Sequence, residues 1–158
     1  MKKSKYFLFI GLALLVVLID QFSKAAAVTY LDEYVRNIVI KDFFSLTLVF
    51  NDGAAWSLFS GRTLFLIIIT VVVSLLTIYQ ILHKSRTKFS TISGSIFVGG
   101  IIGNLIDRIE MGRVIDFLDF NIFGYNFPIF NLADTFIFIG VITLSIALYL
   151  EERNQSDD

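Results

Sequence analysis

The sequence contains no cysteine, a single histidine (His83), a single proline (Pro128) and no excess of either charge sign, with 13 Lys and Arg against 14 Asp and Glu. The missing cysteine removes disulfides, thiolate nucleophiles and Cys-based zinc sites, and one histidine leaves little for a Ser-His-Asp triad or a histidine-rich metal centre. The balanced charge leaves no basic surplus to hold a nucleic-acid backbone, so nucleic acid is not an expected partner. Polar residues are scarce too. Of 158 residues 56% are hydrophobic, 15% aromatic and only 17% charged, and the mean hydropathy of +0.76 is far above that of a soluble domain of this length. Any catalysis must rest mainly on carboxylates, hydroxyls or lysine, with no metal and no cofactor expected.

What is present is long apolar runs. A lipid core about 30 Å thick is crossed by roughly 20 apolar helical residues, and four runs qualify: 6–28, 64–82, 91–109 and 132–150. The second, Leu64 to Leu82, carries no charge at all. The first follows Lys2, Lys3 and Lys5 and ends among Asp20, Gln21 and Lys24. Its basic start, apolar stretch and Ala25-Ala26-Ala27 cluster also fit a cleavable signal peptide, a reading that leaves an odd number of spans and removes Asp20. In the third, Gly94, Gly99, Gly100 and Gly103 include a Gly-xxx-Gly spacing that lets helix backbones approach closely in lipid, which predicts a central helix. The fourth is followed by Glu151-Glu152-Arg153 and a polar tail, Asn154 to Asp158, expected to be disordered. One integral membrane domain, 1–158, is expected.

Lysine and arginine gather before the first run and, as Lys84, Arg86 and Lys88, between the second and third. Both termini and that loop are therefore predicted to be cytoplasmic, with 29–63 and 110–130 outside. In the first outer segment, Phe44 to Phe50 alternates apolar with smaller or more polar residues through Thr47, a period of two that predicts a half-buried strand and a small sheet at the membrane surface. The second holds Phe117, Phe120, Phe123, Tyr125, Phe127 and Phe130, rings that favour the headgroup layer and predict an interfacial segment. The expected fold is thus an all-α membrane protein of four transmembrane helices, with a small extracytoplasmic β-sheet and an interfacial segment.

Charges in or beside lipid are costly unless paired or wet, so each needs a reason. Asp20, Lys24, Asn51, Asn104, Asp107, Arg108, Asp116, Asp119, Asn131 and Asp134 all fall at the outer ends of spans or in outer segments. Structural reasons exist for several. Asn131 and Asp134 have capping-box spacing at a helix start, Asp20 and Lys24 stand at i, i+4, and Asp107 beside Arg108 suggests an ion pair at a helix end. His83 lies in the basic loop, away from the rest. A sharper reading begins with Asp116 and Asp134, which a short return of the chain could bring to one depth. Two carboxylates in a partly dehydrated site hold one proton between them. The pair is then base and acid at once, as an aspartic protease requires.

Five ordered blocks strengthen that reading. Asp20-Gln21-Phe22-Ser23-Lys24, Asn51-Asp52-Gly53-Ala54-Ala55-Trp56, Gly99 to Arg108 (GGIIGNLIDR), Val114-Ile115-Asp116-Phe117 and Phe127 to Asp134 (FPIFNLAD) together resemble the bacterial lipoprotein signal peptidases, also called signal peptidase II, over essentially the whole chain. The resemblance implies a membrane-embedded aspartyl endopeptidase of the bacterial cytoplasmic membrane. Its substrates would be diacylglyceryl-modified prolipoproteins, cut at the outer face among membrane lipids, with the enzyme acting as a monomer. It implies Asp116 and Asp134 as the catalytic pair, with Asn51, Gly53, Asn104, Asp107, Arg108 and Asn131 lining or supporting the site and Asp20 and Lys24 supporting from the first span. Phe50 departs from the family, where that position is often basic, and Trp56 stands where an aromatic is usual. Arg108 is suited to hold a backbone carbonyl or a carboxylate through its planar donor fork.

Three rivals stay open on sequence alone. A non-catalytic scaffold would use the same polar cluster for capping and pairing. A transporter is disfavoured by the uncharged second span and by acids gathered at one face. A Ser–Lys peptidase built from Ser23 and Lys24 is disfavoured because neighbours at i, i+1 point to different sides of a helix.

Overall fold

The computed structural model describes residues 2–53, 58–85 and 87–156; Trp56 and Arg86 lie outside the described residues, as do the last two of the tail. Four helices dominate: α1 (Lys2–Tyr30), α2 (Thr63–Tyr79, continued by a π-helical turn Gln80–Lys84), α3 (Lys88–Met111) and α4 (Leu132–Ser156). All four are long and apolar enough to cross a membrane. Each extends the expected run by a few residues, because hydropathy marks where lipid begins and hydrogen-bonded turns continue past it. At the C-terminus the polar tail expected to be disordered instead continues α4 as helix through Ser156.

α3 is the central helix. In its spanning window 61% is buried, against 22% or less in the other three. The glycine spacing explains this. A side chain at Gly99 would strike the Ala13 carbonyl and Val16 of α1, and one at Gly100 would strike the Ala133 carbonyl of α4. α3 can lie backbone-to-backbone against both neighbours only because these positions are bare. Thr87 caps its start by accepting the Ser90 N–H at 3.1 Å. Gly112 ends it in the left-handed region at φ 73°, a conformation that costs glycine nothing.

That reversal sends the chain straight into β3 (Val114–Ile122), which joins β1 (Asn37–Ile40), β2 (Phe44–Asn51) and β4 (Tyr125–Asn126) in one antiparallel sheet of order β1-β2-β3-β4. The sequence reading placed strand only in the first outer segment. Here the second supplies an inner strand of the sheet, and Ile115 and Phe117 pack with Ala27 and Leu48 between the sheet and the end of α1. The β2 strand is half-buried as its alternation predicted, but with an inversion: Ser45 and Thr47 are buried together with Leu48. The Thr47 hydroxyl donates to Asp119 at 2.8 Å, and the Ser45 hydroxyl accepts at 3.2 Å from Arg36, the guanidinium that pairs with Asp119 at 3.0 Å. A bulge between Leu46 and Val49 then resets the register so that Val49 faces Asp116.

Candidate active site

Asn131 is the junction of the site. It precedes α4, and its Oδ1 accepts the Asp134 N–H at 3.0 Å while its own N–H donates to Asp134 Oδ2 at 3.2 Å. This reciprocal cap satisfies two groups at the helix start and fixes the Asp134 carboxylate. The same side chain reaches across to β3, where Nδ2 donates to Asp116 Oδ1 at 2.6 Å. One residue therefore makes both the helix cap and the bridge between the two acids.

Asn104, two turns before the C-terminal end of α3, completes the bridge. Its Nδ2 donates to Asp134 Oδ1 at 2.7 Å, and its Oδ1 accepts from Asn131 Nδ2 at 3.1 Å. From β2, Asn51 Nδ2 donates to Asp116 Oδ2 at 2.9 Å, while Asn51 Oδ1 holds the Gly53 N–H at 2.9 Å. Each aspartate thus has both carboxylate oxygens engaged by fixed donors. Asp116 is buried, and that burial, with the negative charge of Asp134 adding to it, pushes its carboxyl up to about 7 despite the bonds from Asn51 and Asn131. Two acids that resist joint ionisation are equipped to hold one proton at neutral pH.

Both carboxylates line one groove of about 1160 Å³. One wall is the sheet, with Phe50, Leu118 and Phe120. The other is the flank of α4, where Thr135, Ile137, Phe138 and Val141 continue the groove below Asp134. At its upper edge Arg108 Nη2 donates to the Gly53 carbonyl at 2.9 Å, the backbone-carbonyl role its fork suggested. The proposed Asp107–Arg108 ion pair is not formed. Adjacent residues on a helix point to different sides, and Asp107 turns inward to Lys24 instead, Nζ to Oδ2 2.8 Å.

Lys24 also meets Asp20 at 2.8 Å, as the i, i+4 spacing predicted, and donates to Asn104 Oδ1 at 2.8 Å. All three charged groups of this cluster are at most 2% exposed. Asp20 Oδ1 receives the Ala133 N–H at 2.9 Å, and Asp107 Oδ2 receives the Ile115 N–H at 3.1 Å. α1 is thereby built into the site as an integral part of the bundle. Asp20, Lys24, Asn51, Gly53, Asn104, Asp107, Arg108 and Asn131 all belong to this connected set, whereas Asp119 pairs with Arg36 and Thr47 instead. Gln21 was missed as a partner, although it binds Asp107 Oδ1 at 2.9 Å and the Gly103 carbonyl at 3.1 Å; an amide within an apolar run was its signal. Phe50 lies beneath the Arg113 guanidinium, 5.2 Å from the ring centroid. His83 stacks on Tyr79 at 4.8 Å in the π-helical turn. Among the described residues no cluster of His, Cys, Asp and Glu could hold a metal ion.

Comparison with known proteins points the same way. The family model described as signal peptidase (SPase) II matches residues 12–150. A lipoprotein signal peptidase of Staphylococcus aureus is 40% identical over 157 residues, covering 98% of this chain and 96% of that protein. One from Staphylococcus haemolyticus is 39% identical, covering 98% and 99%. A solved bacterial membrane enzyme superposes with a TM-score of 0.84 at 39% identity, covering 92% of this chain and 90% of the other.

Proposed function

The chain belongs to the signal peptidase II family, and from that premise we propose that it is a bacterial multi-pass membrane peptidase in which Asp116 and Asp134 cleave the signal peptide from diacylglyceryl-modified prolipoproteins. The observation that carries this reading is the joining of the two aspartates, through Asn131 and Asn104, on the wall of one apolar groove.

The chemistry follows from one shared proton. The ionised carboxylate takes a proton from a water whose oxygen attacks the peptide carbonyl carbon, and the protonated partner gives its proton to the carbonyl oxygen. Collapse of the tetrahedral carbon breaks the C–N bond as the carboxyl that took the water's proton passes it to the leaving nitrogen and the other carboxylate takes a hydroxyl proton, so the pair again holds one. The remaining polar residues hold the pair in place.

The groove suits a lipid-anchored substrate. From Asp134 to Val141 the α4 flank descends about 10 Å at 1.5 Å per residue, so acyl chains can stay against apolar wall while the adjoining peptide bond lies at the carboxylates. Anchoring in the bilayer also supplies a high local concentration without extensive peptide contacts. The excess of Lys and Arg at the other ends of the helices supports cytoplasmic termini and an outer-face site.

A scaffold has no need of two buried acids on one groove, and family membership counts against it. The test is purified protein in detergent or bilayer with one prolipoprotein in diacylglyceryl-modified and unmodified forms. Cleavage of the modified form alone is expected, and equal cleavage of both would refute the lipid dependence.

A further inference from the structure

The buried Lys24 makes no hydrogen bond or ion pair to either catalytic carboxylate, yet it touches one residue that does. Its ammonium donates to Asn104 Oδ1 at 2.8 Å, and Asn104 Nδ2 donates to Asp134 Oδ1 at 2.7 Å. We propose that Lys24 is a positioning residue of the peptidase, resting on the reading above: it locks the Asn104 amide in the one orientation that presents a donor to Asp134.

An amide can flip, exchanging an oxygen that accepts for a nitrogen that donates. A flipped Asn104 would set its NH2 against the Lys24 ammonium, donor facing donor, and its oxygen against the Asp134 carboxylate, acceptor facing acceptor. With Lys24 in place both contacts are repulsive, so only the observed orientation survives. Asn131 alone would not impose this, because its contact with Asn104 Oδ1 is longer at 3.1 Å and its Nδ2 is shared with Asp116 and the Ile115 carbonyl. Asp20 and Asp107 hold the ammonium at 2.8 Å each, and Asp20 in turn grips the Ala133 N–H beside Asp134. A cluster of buried charges is a poor device for stability, since well-packed apolar groups commonly serve as well. It is a good device for fixing a direction.

The test uses the full chain and the diacylglyceryl-modified substrate. Lys24→Met combined with Asp107→Asn removes one cation and one anion together, so the net charge of the buried cluster is unchanged and Asp20 keeps the Ala133 N–H and the Gln21 amide as donors. The expected result is a kcat at least 30-fold lower with KM within 3-fold, and a thermal melt that shows a folded protein. Asn104→Leu should lower kcat comparably. Because Lys24 acts through Asn104, adding Lys24→Met and Asp107→Asn to Asn104→Leu should lose less than 3-fold more. Losses that multiply, or a folded Lys24→Met/Asp107→Asn protein within 3-fold of the parent kcat, overturn the inference. If the double variant does not fold, Lys24→Gln carries the test: its amide keeps a donor for Asn104, so a folded Lys24→Gln protein should retain at least a tenth of the parent kcat, and a loss beyond 30-fold overturns the inference. Failure of the unaltered chain to cut the modified substrate would instead sink the peptidase reading, and this inference with it.

Discussion

Asn131 and Asp134 hold each other at both ends: backbone N–H to carboxylate at 3.2 Å in one direction and backbone N–H to amide oxygen at 3.0 Å in the other. The Asn131 amide nitrogen then grips Asp116 at 2.6 Å. A single helix cap therefore sets the position of both acids. Asn131→Ala removes the side-chain acceptor of the cap, worth about 1 kcal/mol, and the Nδ2 donor to Asp116 and Asn104, while the backbone N–H to Asp134 remains. It should lower the melting temperature by a few degrees and cleavage by two orders of magnitude or more, measured on the same preparation.

The buried Asp116, pushed up to about 7, gives the protein a signed pH dependence. Between roughly pH 4, where the unfolded chain loses this proton, and pH 7 the folded state binds more protons than the unfolded one. That contribution to stability is fully present below the window and is lost as pH rises through it. Asp116→Asn keeps the shape without the titrating group but turns an NH2 toward Asn51 or Asn131, so its melting temperature should fall less than the parent's between pH 4 and pH 8. Cleavage by the parent, which needs one protonated carboxyl, should fall as pH rises above about 7.

Arg108 supplies two donors, Nη2 to the Gly53 carbonyl at 2.9 Å and Nη1 to the Asn104 carbonyl at 3.4 Å. Lysine keeps the charge but has no planar fork. Arg108→Lys is expected to cut kcat/KM by about tenfold, a loss of about 1.4 kcal/mol in transition-state stabilisation. Full activity with unchanged KM would show that the fork is irrelevant.

Gly103 faces the Asp20 carboxylate so closely that an added methyl would displace it. Asp20 is fully buried and already bonded to Lys24 and the Ala133 N–H, so it has nowhere to go. Gly103→Ala should destabilise the protein by about 1–3 kcal/mol, the usual cost of overpacking. Circular dichroism melts in detergent would read it, and an unchanged melt would mean that the contact relaxes freely.

The features legible in the sequence were those encoded locally. Four apolar runs gave four helices, the glycine spacing gave the central one, and Asp20 with Lys24 and Asn131 with Asp134 followed from helix geometry. β3 escaped because Val114, Ile115, Asp116 and Phe117 are all buried in succession; a strand covered on both faces shows no alternation. Lys24 with Asp107 escaped for a different reason. The partners come from α1 and α3, and only the close approach allowed by the glycines brings them together, whereas sequence adjacency favoured the wrong partner, Arg108. The buried hydroxyls Ser45 and Thr47 were likewise explicable only once Asp119 was in place to receive Thr47.

Carboxylate chemistry needs no metal, so cleavage should persist in excess EDTA. Loss on chelation, restored by a divalent cation, would count against the mechanism.

The most direct measurement compares Asp116→Asn and Asp134→Asn with the parent on the diacylglyceryl-modified prolipoprotein, each protein first shown by thermal melt to be folded. Shared-proton catalysis requires that either substitution abolish cleavage, because asparagine cannot take up or release that proton. A folded variant of either kind that still cleaves at near the parent rate would contradict it.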